Sequence, residues 1–305
     1  MTAFIPNFFV AGAPKAGTSS VHQWIADHPD ALGSREKETY FFVDPDTHMY
    51  NAQAHVSKGY DTWADQFDLP DGKRPKIIVE STPSYIYFDT ALDHIPDLPT
   101  QPKCLFILRE PAAQIRSLHS YFQNNWNWIP ADMSFEDFVA VAHTETGDFK
   151  GNELARHAIR YGKYVDYLRK WRERLGDERM MVIGFDDLKR DGAGTAKRVA
   201  EWLGLDPSFY DTYSFPRENE TYVPRNRALQ NLNVALRSKL PKGAVYQATR
   251  SLYRKVATRR GKVELKNEDR AVLDQLRVEF AQANQELFEE FGVDLRQKPA
   301  EGVEG

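Results

Sequence analysis

The chain has 305 residues, a net charge of −4, 41% hydrophobic residues and one cysteine. That apolar content is enough for one large core, as a single α/β domain with insertions or as two domains. The lone Cys104 excludes an internal disulfide and reads as a small buried residue.

In chain order, the apolar stretch 4–13 is too short to span a bilayer and is broken by Pro6, so it reads as a first strand and the expected setting is cytoplasmic. Strands are expected near residues 5–11, 76–80, 103–109 and 179–184, and helices near 18–28, 111–128, 134–143, 153–175 and 192–204. Strands alternating with helices predict a mainly parallel sheet flanked by helices. Ligands of such sheets collect at the carboxyl ends of the strands, where Lys15, Glu80 and Arg109 all fall. Within 153–175, Tyr161, Tyr164, Leu168 and Trp171 share a helical face suited to core packing. A final amphipathic helix is expected from Asn267 to Phe291, ending at Gly292, as a helical C-terminal extension. The reading is one domain over 1–296, followed by a disordered tail at 297–305.

Four segments carry chemistry. The first strand runs into Gly12-Ala13-Pro14-Lys15-Ala16-Gly17-Thr18-Ser19-Ser20, a Gly-rich turn opening a helix with hydroxyl residues. Backbone N–H groups at such a helix start favour a phosphate, and the three hydroxyls add donors. In the nucleotide-triphosphatase loop a lysine follows the second glycine and the next Ser/Thr carries magnesium. Here Thr18 follows Gly17 and the lysine has moved forward to Lys15, so the anion-binding geometry is kept and the arrangement for a metal-bound triphosphate is lost. A turn that merely joins strand to helix is the plainer alternative. The apolar strand near 103–109 ends at Arg109, and Pro111 suits a first helical position. Ser117 lies eight residues beyond Arg109, about two turns into that helix, so both can face one ligand. The plainer reading of Arg109 is a surface ion pair. Arg35-Glu36-Lys37-Glu38 precedes the aromatic run Tyr40-Phe41-Phe42, and is either a solvated charge cluster or a source of a carboxylate base beside an apolar wall. The β-branched strand 76–80 ends in Glu80-Ser81-Thr82-Pro83-Ser84-Tyr85.

The first loop resembles the phosphosulfate-binding loop of sulfotransferases that use 3′-phosphoadenosine 5′-phosphosulfate (PAPS), on a P-loop-type α/β fold. The resemblance implies that Lys15, Ala16, Gly17, Thr18, Ser19 and Ser20 hold the 5′-phosphosulfate, and that Arg109 and Ser117 grip the 3′-phosphate. The aromatic-run segment is similar to the K-E-x-x-F-F segment of the heparan-sulfate type, which makes Glu38 the implied catalytic base, with Glu36 its competitor. Lys15 would neutralise charge on the leaving oxygen, and no metal is required. In the E-K-[ST]-P-x-Y segment of these enzymes a lysine contributes to the site; this chain has Ser81 there. Golgi members of the group often carry a disulfide, which this chain cannot form. The implied reaction is sulfuryl transfer to a hydroxyl or amine of a carbohydrate, glycolipid or lipid-like metabolite. A P-loop small-molecule kinase and a non-catalytic nucleotide-binding module are the rival readings.

Charge is not evenly spread. Between Tyr222 and Val263 there are eleven basic residues and no Asp or Glu, so the rest of the chain sums to −15. The segment 222–262 is therefore a separate electrostatic object. It suits a lid over the nucleotide, with Arg225 and Arg227 the nearest candidates, a docking face for an anionic acceptor, or a peripheral contact with an anionic membrane. Nucleic acid is disfavoured as a partner because the remaining surface is acidic and no recognised module is present.

Overall fold

The computed structural model describes residues 5–68, 74–216, 222–224, 258–260 and 267–296. Its centre is a parallel five-stranded sheet formed by β1 (Phe8–Gly12), β2 (Ala31–Gly33), β3 (Ile77–Glu80), β4 (Lys103–Leu108) and β5 (Met180–Gly184), in the spatial order β2-β3-β1-β4-β5. The main helices are α1 (Thr18–Ala26), α2 (Pro111–Tyr121), α3 (Phe135–Thr144), α4 (Tyr164–Leu175), α5 (Gly192–Leu203), α6 (Asn267–Glu279) and α7 (Ala281–Phe291). Four of the five strands were expected from the sequence. β2 was not, because three residues, Ala-Leu-Gly, carry neither length nor β-branching.

Parallel strands covered on both faces read as continuous apolar runs, and β1 is buried throughout. Its side chains alternate between the two faces. Phe8 and Val10 pack with Val21, Ile25, Val199 and Leu105 on one side, while Phe9 and Ala11 join Trp63, Tyr85, Phe106 and Trp171 on the other. A third apolar cluster lies where α2, α3 and α6 meet, around Ile115, Phe138, Leu276 and Phe280.

Two expected helices are interrupted. Residues 153–175 form Glu153–Arg156, Ala158–Tyr161 and α4, with breaks at His157 and at Gly162-Lys163. Tyr161, Tyr164, Leu168 and Trp171 are nonetheless all buried, as the periodicity predicts. The C-terminal segment divides at Phe280, which is fully buried and packs so tightly on Gly162 that a Cβ there would meet the Phe280 ring at 2.6 Å. The breaks at Gly162 and Phe280 thus pack against each other. Tyr222–Pro224 (β6) and Thr258–Arg260 (β7) form a separate antiparallel pair, and the β6 backbone lies against the turn Phe122–Trp126 at the end of α2. The remainder of the basic segment, with Arg225 and Arg227, and the tail 297–305 lie outside the described residues. Among the described residues, no helix is long and apolar enough to cross a membrane.

Candidate active site

Because the strands are parallel and β1 lies between β3 and β4, the loops after all three open on one edge of the sheet, where the chain order reverses. The loop after β1 is pinned from both sides. Ala13 N–H donates to the Ile107 carbonyl at 2.7 Å, Gln114 Nε2 donates to the Pro14 carbonyl at 3.1 Å, and Arg109 Nη1 donates to the Lys15 carbonyl at 3.3 Å. The segment after β4 therefore braces the loop after β1. Gly17 is required twice over: its φ is +86°, and a Cβ would lie 2.8 Å from Leu188 Cδ2.

Helices α2, α3 and α5 are each closed by a side-chain cap, from Glu110, Ser134 and Asp191. The start of α1 has no side-chain cap, so its first N–H groups face the loop with only Thr18, Ser19 and Ser20 beside them. Lys15 completes this cradle. Its ammonium stands 3.7 Å from the centre of the Tyr121 ring, and burial together with the Arg109 charge pulls its pKa down to about 8. The Arg109 guanidinium lies 5.2 Å from the Phe185 ring, and burial lowers its pKa as well. Ser117 is half-buried on α2.

The charged run 35–38 divides by direction. Arg35 pairs with Asp68 at the surface, whereas Lys37 turns inward and bonds Glu38 Oε1 at 2.6 Å. The Tyr40 hydroxyl donates to the other oxygen of Glu38. Burial favours the neutral acid, but Lys37, Tyr40 and Lys15 outweigh it and hold Glu38 below the usual glutamate range, so it is ionised at neutral pH. Behind it, Phe41 stacks on Trp63 with centroids 4.8 Å apart and Phe42 meets the same ring edge-on. This buried anchor fixes where the Glu38 segment leaves the core.

Ser81, at the position of the lysine in the resembled enzymes, is fully buried and bonds His22 Nδ1 at 2.8 Å. Burial and Lys37 lower the His22 pKa to about 3, which keeps that pair neutral. His119 is remote in character: it packs between Phe135 and Phe138 and bonds the Met133 carbonyl.

Sequence reasoning missed Lys37, Tyr40, Tyr121 and Gln114. For the last two a signal existed, since Gln114, Ser117 and Tyr121 are spaced by three and four and share one face of α2. The contact between Tyr40 and Glu38, two residues apart, depends on a left-handed Tyr40 backbone, φ +54°, that no local pattern announced.

A parallel α/β sheet with a lysine-bearing anion cradle and an ionised carboxylate at its carboxyl edge defines a phosphate-loop group-transfer protein. The sulfotransferase domain model matches residues 6–289, and the chain belongs to that family. Among curated proteins it is 26% identical over 219 residues to mouse heparan sulfate glucosamine 3-O-sulfotransferase 3B1, covering 70% of this chain and 51% of that one. It is 20% identical over 205 residues to mouse bifunctional heparan sulfate N-deacetylase/N-sulfotransferase 4, covering 67% of this chain and 23% of that one. The chain thus spans about a quarter to a half of these relatives. A sulfotransferase structure from Alicyclobacillus acidocaldarius superposes with a TM-score of 0.66 at 20% identity, covering 96% of this chain and 98% of that one, and shares the fold.

Proposed function

We propose that the chain transfers a sulfuryl group from PAPS to a hydroxyl or amine of a carbohydrate, glycolipid or lipid-like acceptor. The observation that carries this reading is the loop 13–17 after β1, which carries Lys15, is bonded by Arg109 and runs into a start of α1 without a side-chain cap. The donor supplies an activated sulfuryl group on a bisphosphate leaving group. Backbone N–H groups of 16–20 and the hydroxyls of Thr18, Ser19 and Ser20 hold the 5′-phosphosulfate, and Arg109 and Ser117 hold the 3′-phosphate. Glu38 takes the acceptor proton as the new S–O or S–N bond forms. The bond from sulfur to the bridging oxygen breaks, and Lys15 neutralises the charge left on that oxygen. Names of the curated relatives, which act on heparan sulfate and its glucosamine, favour a carbohydrate acceptor.

We read residues 1–296 as one domain, with Arg225 and Arg227 closing over the nucleotide and the rest of 222–262 guiding an anionic acceptor or lipid surface. Cytoplasmic residence with peripheral membrane contact accords with that charge, and no nucleic-acid partner is proposed. A kinase reading is disfavoured because Thr18 stands where the triphosphate loop has its lysine.

Calorimetry with adenosine 3′,5′-bisphosphate, AMP and Mg·ATP tests the donor. The bisphosphate is expected to bind at least tenfold more tightly than AMP, since charge-assisted bonds to the 3′-phosphate contribute about 1.5–3 kcal/mol each. Arg109→Ala should remove most of that difference, and a preference for Mg·ATP would overturn the assignment. Glu38→Gln should lower transfer about a hundredfold while leaving bisphosphate affinity unchanged; a wild-type rate would place the base elsewhere.

A further inference from the structure

Glu80 ends β3 with its side chain fully buried, and the transfer chemistry described above makes no use of it. Its two oxygens are treated very differently. Oε1 accepts three bonds, from Thr82 Oγ1 at 2.6 Å, Thr39 Oγ1 at 2.9 Å and Thr39 N–H at 3.2 Å. Oε2 is equally enclosed and has no hydrogen-bond partner among the described residues. A buried carboxylate in that state is costly, and burial pushes its pKa up to about 7.

The bonds lead toward Glu38. Thr39 is the next residue, held by both its backbone and its hydroxyl. Thr82 in turn accepts from Tyr40 N–H at 3.3 Å, so the residue whose hydroxyl bonds Glu38 is held at one remove. Phe42 N–H donates to the Tyr85 hydroxyl at 3.2 Å, continuing the attachment of this segment to the chain that follows β3. Tyr40 has a left-handed backbone, which an ordinary side chain adopts only where its surroundings enforce it. The charged groups acting on the turn are Lys37, bonded to Glu38, Lys15, whose charge favours the Glu38 carboxylate, and Glu153, whose charge reaches Tyr40, while the neighbouring His22–Ser81 pair is neutral.

We propose that Glu80 is a positioning residue: it clamps the Thr39-Tyr40 turn to the end of β3 and thereby aims the Glu38 carboxylate, with Lys37 and Tyr40 upon it, at the cradle after β1. It acts through Glu38 and does not touch the acceptor. The inference rests on the reading of Glu38 as the base, but its test does not need the acceptor.

The experiment follows the Glu38 carboxyl by 13C NMR in protein labelled at glutamate side chains, with the signal assigned through Glu38→Gln. In the wild type it should titrate below the ordinary glutamate range. Glu80→Leu, which leaves all three donors without their acceptor, should return Glu38 to about the ordinary value, while Glu80→Gln, which keeps an acceptor oxygen, should restore most of the depression. Should Glu80→Leu fail to fold, Thr39→Val and Thr82→Val each remove one link and should move the signal part of the way. An unchanged Glu38 titration in the folded variants overturns the proposal, as does a loss of bisphosphate affinity that parallels the change. The base assignment is judged separately by Glu38→Gln turnover, so the two failures are distinguishable. With PAPS and a glucosamine-bearing heparan oligosaccharide as probe acceptor, Glu80→Leu should lower kcat about tenfold or more with little change in KM, and should add nothing in the Glu38→Gln background.

Discussion

Lys15 is the residue whose proton is held least firmly in the loop after β1. Lys15 is crowded by burial and by Arg109, and its pKa near 8 is well below the usual lysine value. The sign of the consequence follows directly. Above about pH 8 the free protein begins to lose this proton, whereas a bound anion favours the charged form. Bisphosphate affinity should therefore fall as pH rises from about 7.5 to 9.5, and binding near pH 8.5 should take up a proton. Calorimetry in two buffers of different ionisation enthalpy measures that uptake. Lys15→Arg, which stays charged, should flatten the dependence. At this scale the sequence showed Lys15, Arg109, Ser117 and Glu38 as chemical types in a motif. It did not show that Tyr121 lies against Lys15 or that Lys37 and Tyr40 occupy the two oxygens of Glu38. The first pairing comes from side chains meeting across elements, and the other two from the left-handed turn at Tyr40.

The element most exposed to a single change is the turn between β1 and α1. Gly17→Ala must adopt φ +86° and push a methyl group against Leu188, so a stability loss of about 1–3 kcal/mol and at least a tenfold loss of bisphosphate affinity are expected. Gly59 provides the control, because its φ is +85° but nothing lies within 4 Å of an added Cβ. Gly59→Ala should show the backbone cost in thermal unfolding and leave nucleotide affinity alone. Strands β1, β3, β4 and β5 were legible to within one to three residues because a strand buried on both faces must be apolar along its length. Helix interruptions were not legible. The Gly162 and Phe280 breaks answer to each other across more than a hundred residues, and neither segment reveals the other's shape by itself.

For the whole molecule, the separation of charge sets the expectation. A segment, 222–262, with eleven basic and no acidic residues on a chain of net charge −4 is a poor candidate for an ordinary solvated face, which mixes signs. Reversing Arg254, Lys255, Arg259 and Arg260 to Glu should leave bisphosphate affinity nearly intact. It should also abolish binding to anionic vesicles or raise the acceptor KM at low salt, and the wild-type interaction should fade as added salt shortens the Debye length. No change in either measurement would show that the segment only solvates the surface. Composition and apolar patterning sufficed to indicate a parallel α/β sheet, because burial on both faces imposes its chemistry on contiguous residues. The choice of Glu38's partners, the neutral His22–Ser81 pair in place of a lysine, and the clamp of Glu80 on Thr39 and Thr82 were decided only in the tertiary structure. The bonds of His22 to Ser81 and of Glu80 to Thr39 join residues about sixty and forty positions apart, which only the folding of β3 beside β1 and β2 brings within hydrogen-bonding distance, whereas Lys37 and Tyr40 reach Glu38 from one and two residues away through the left-handed turn at Tyr40.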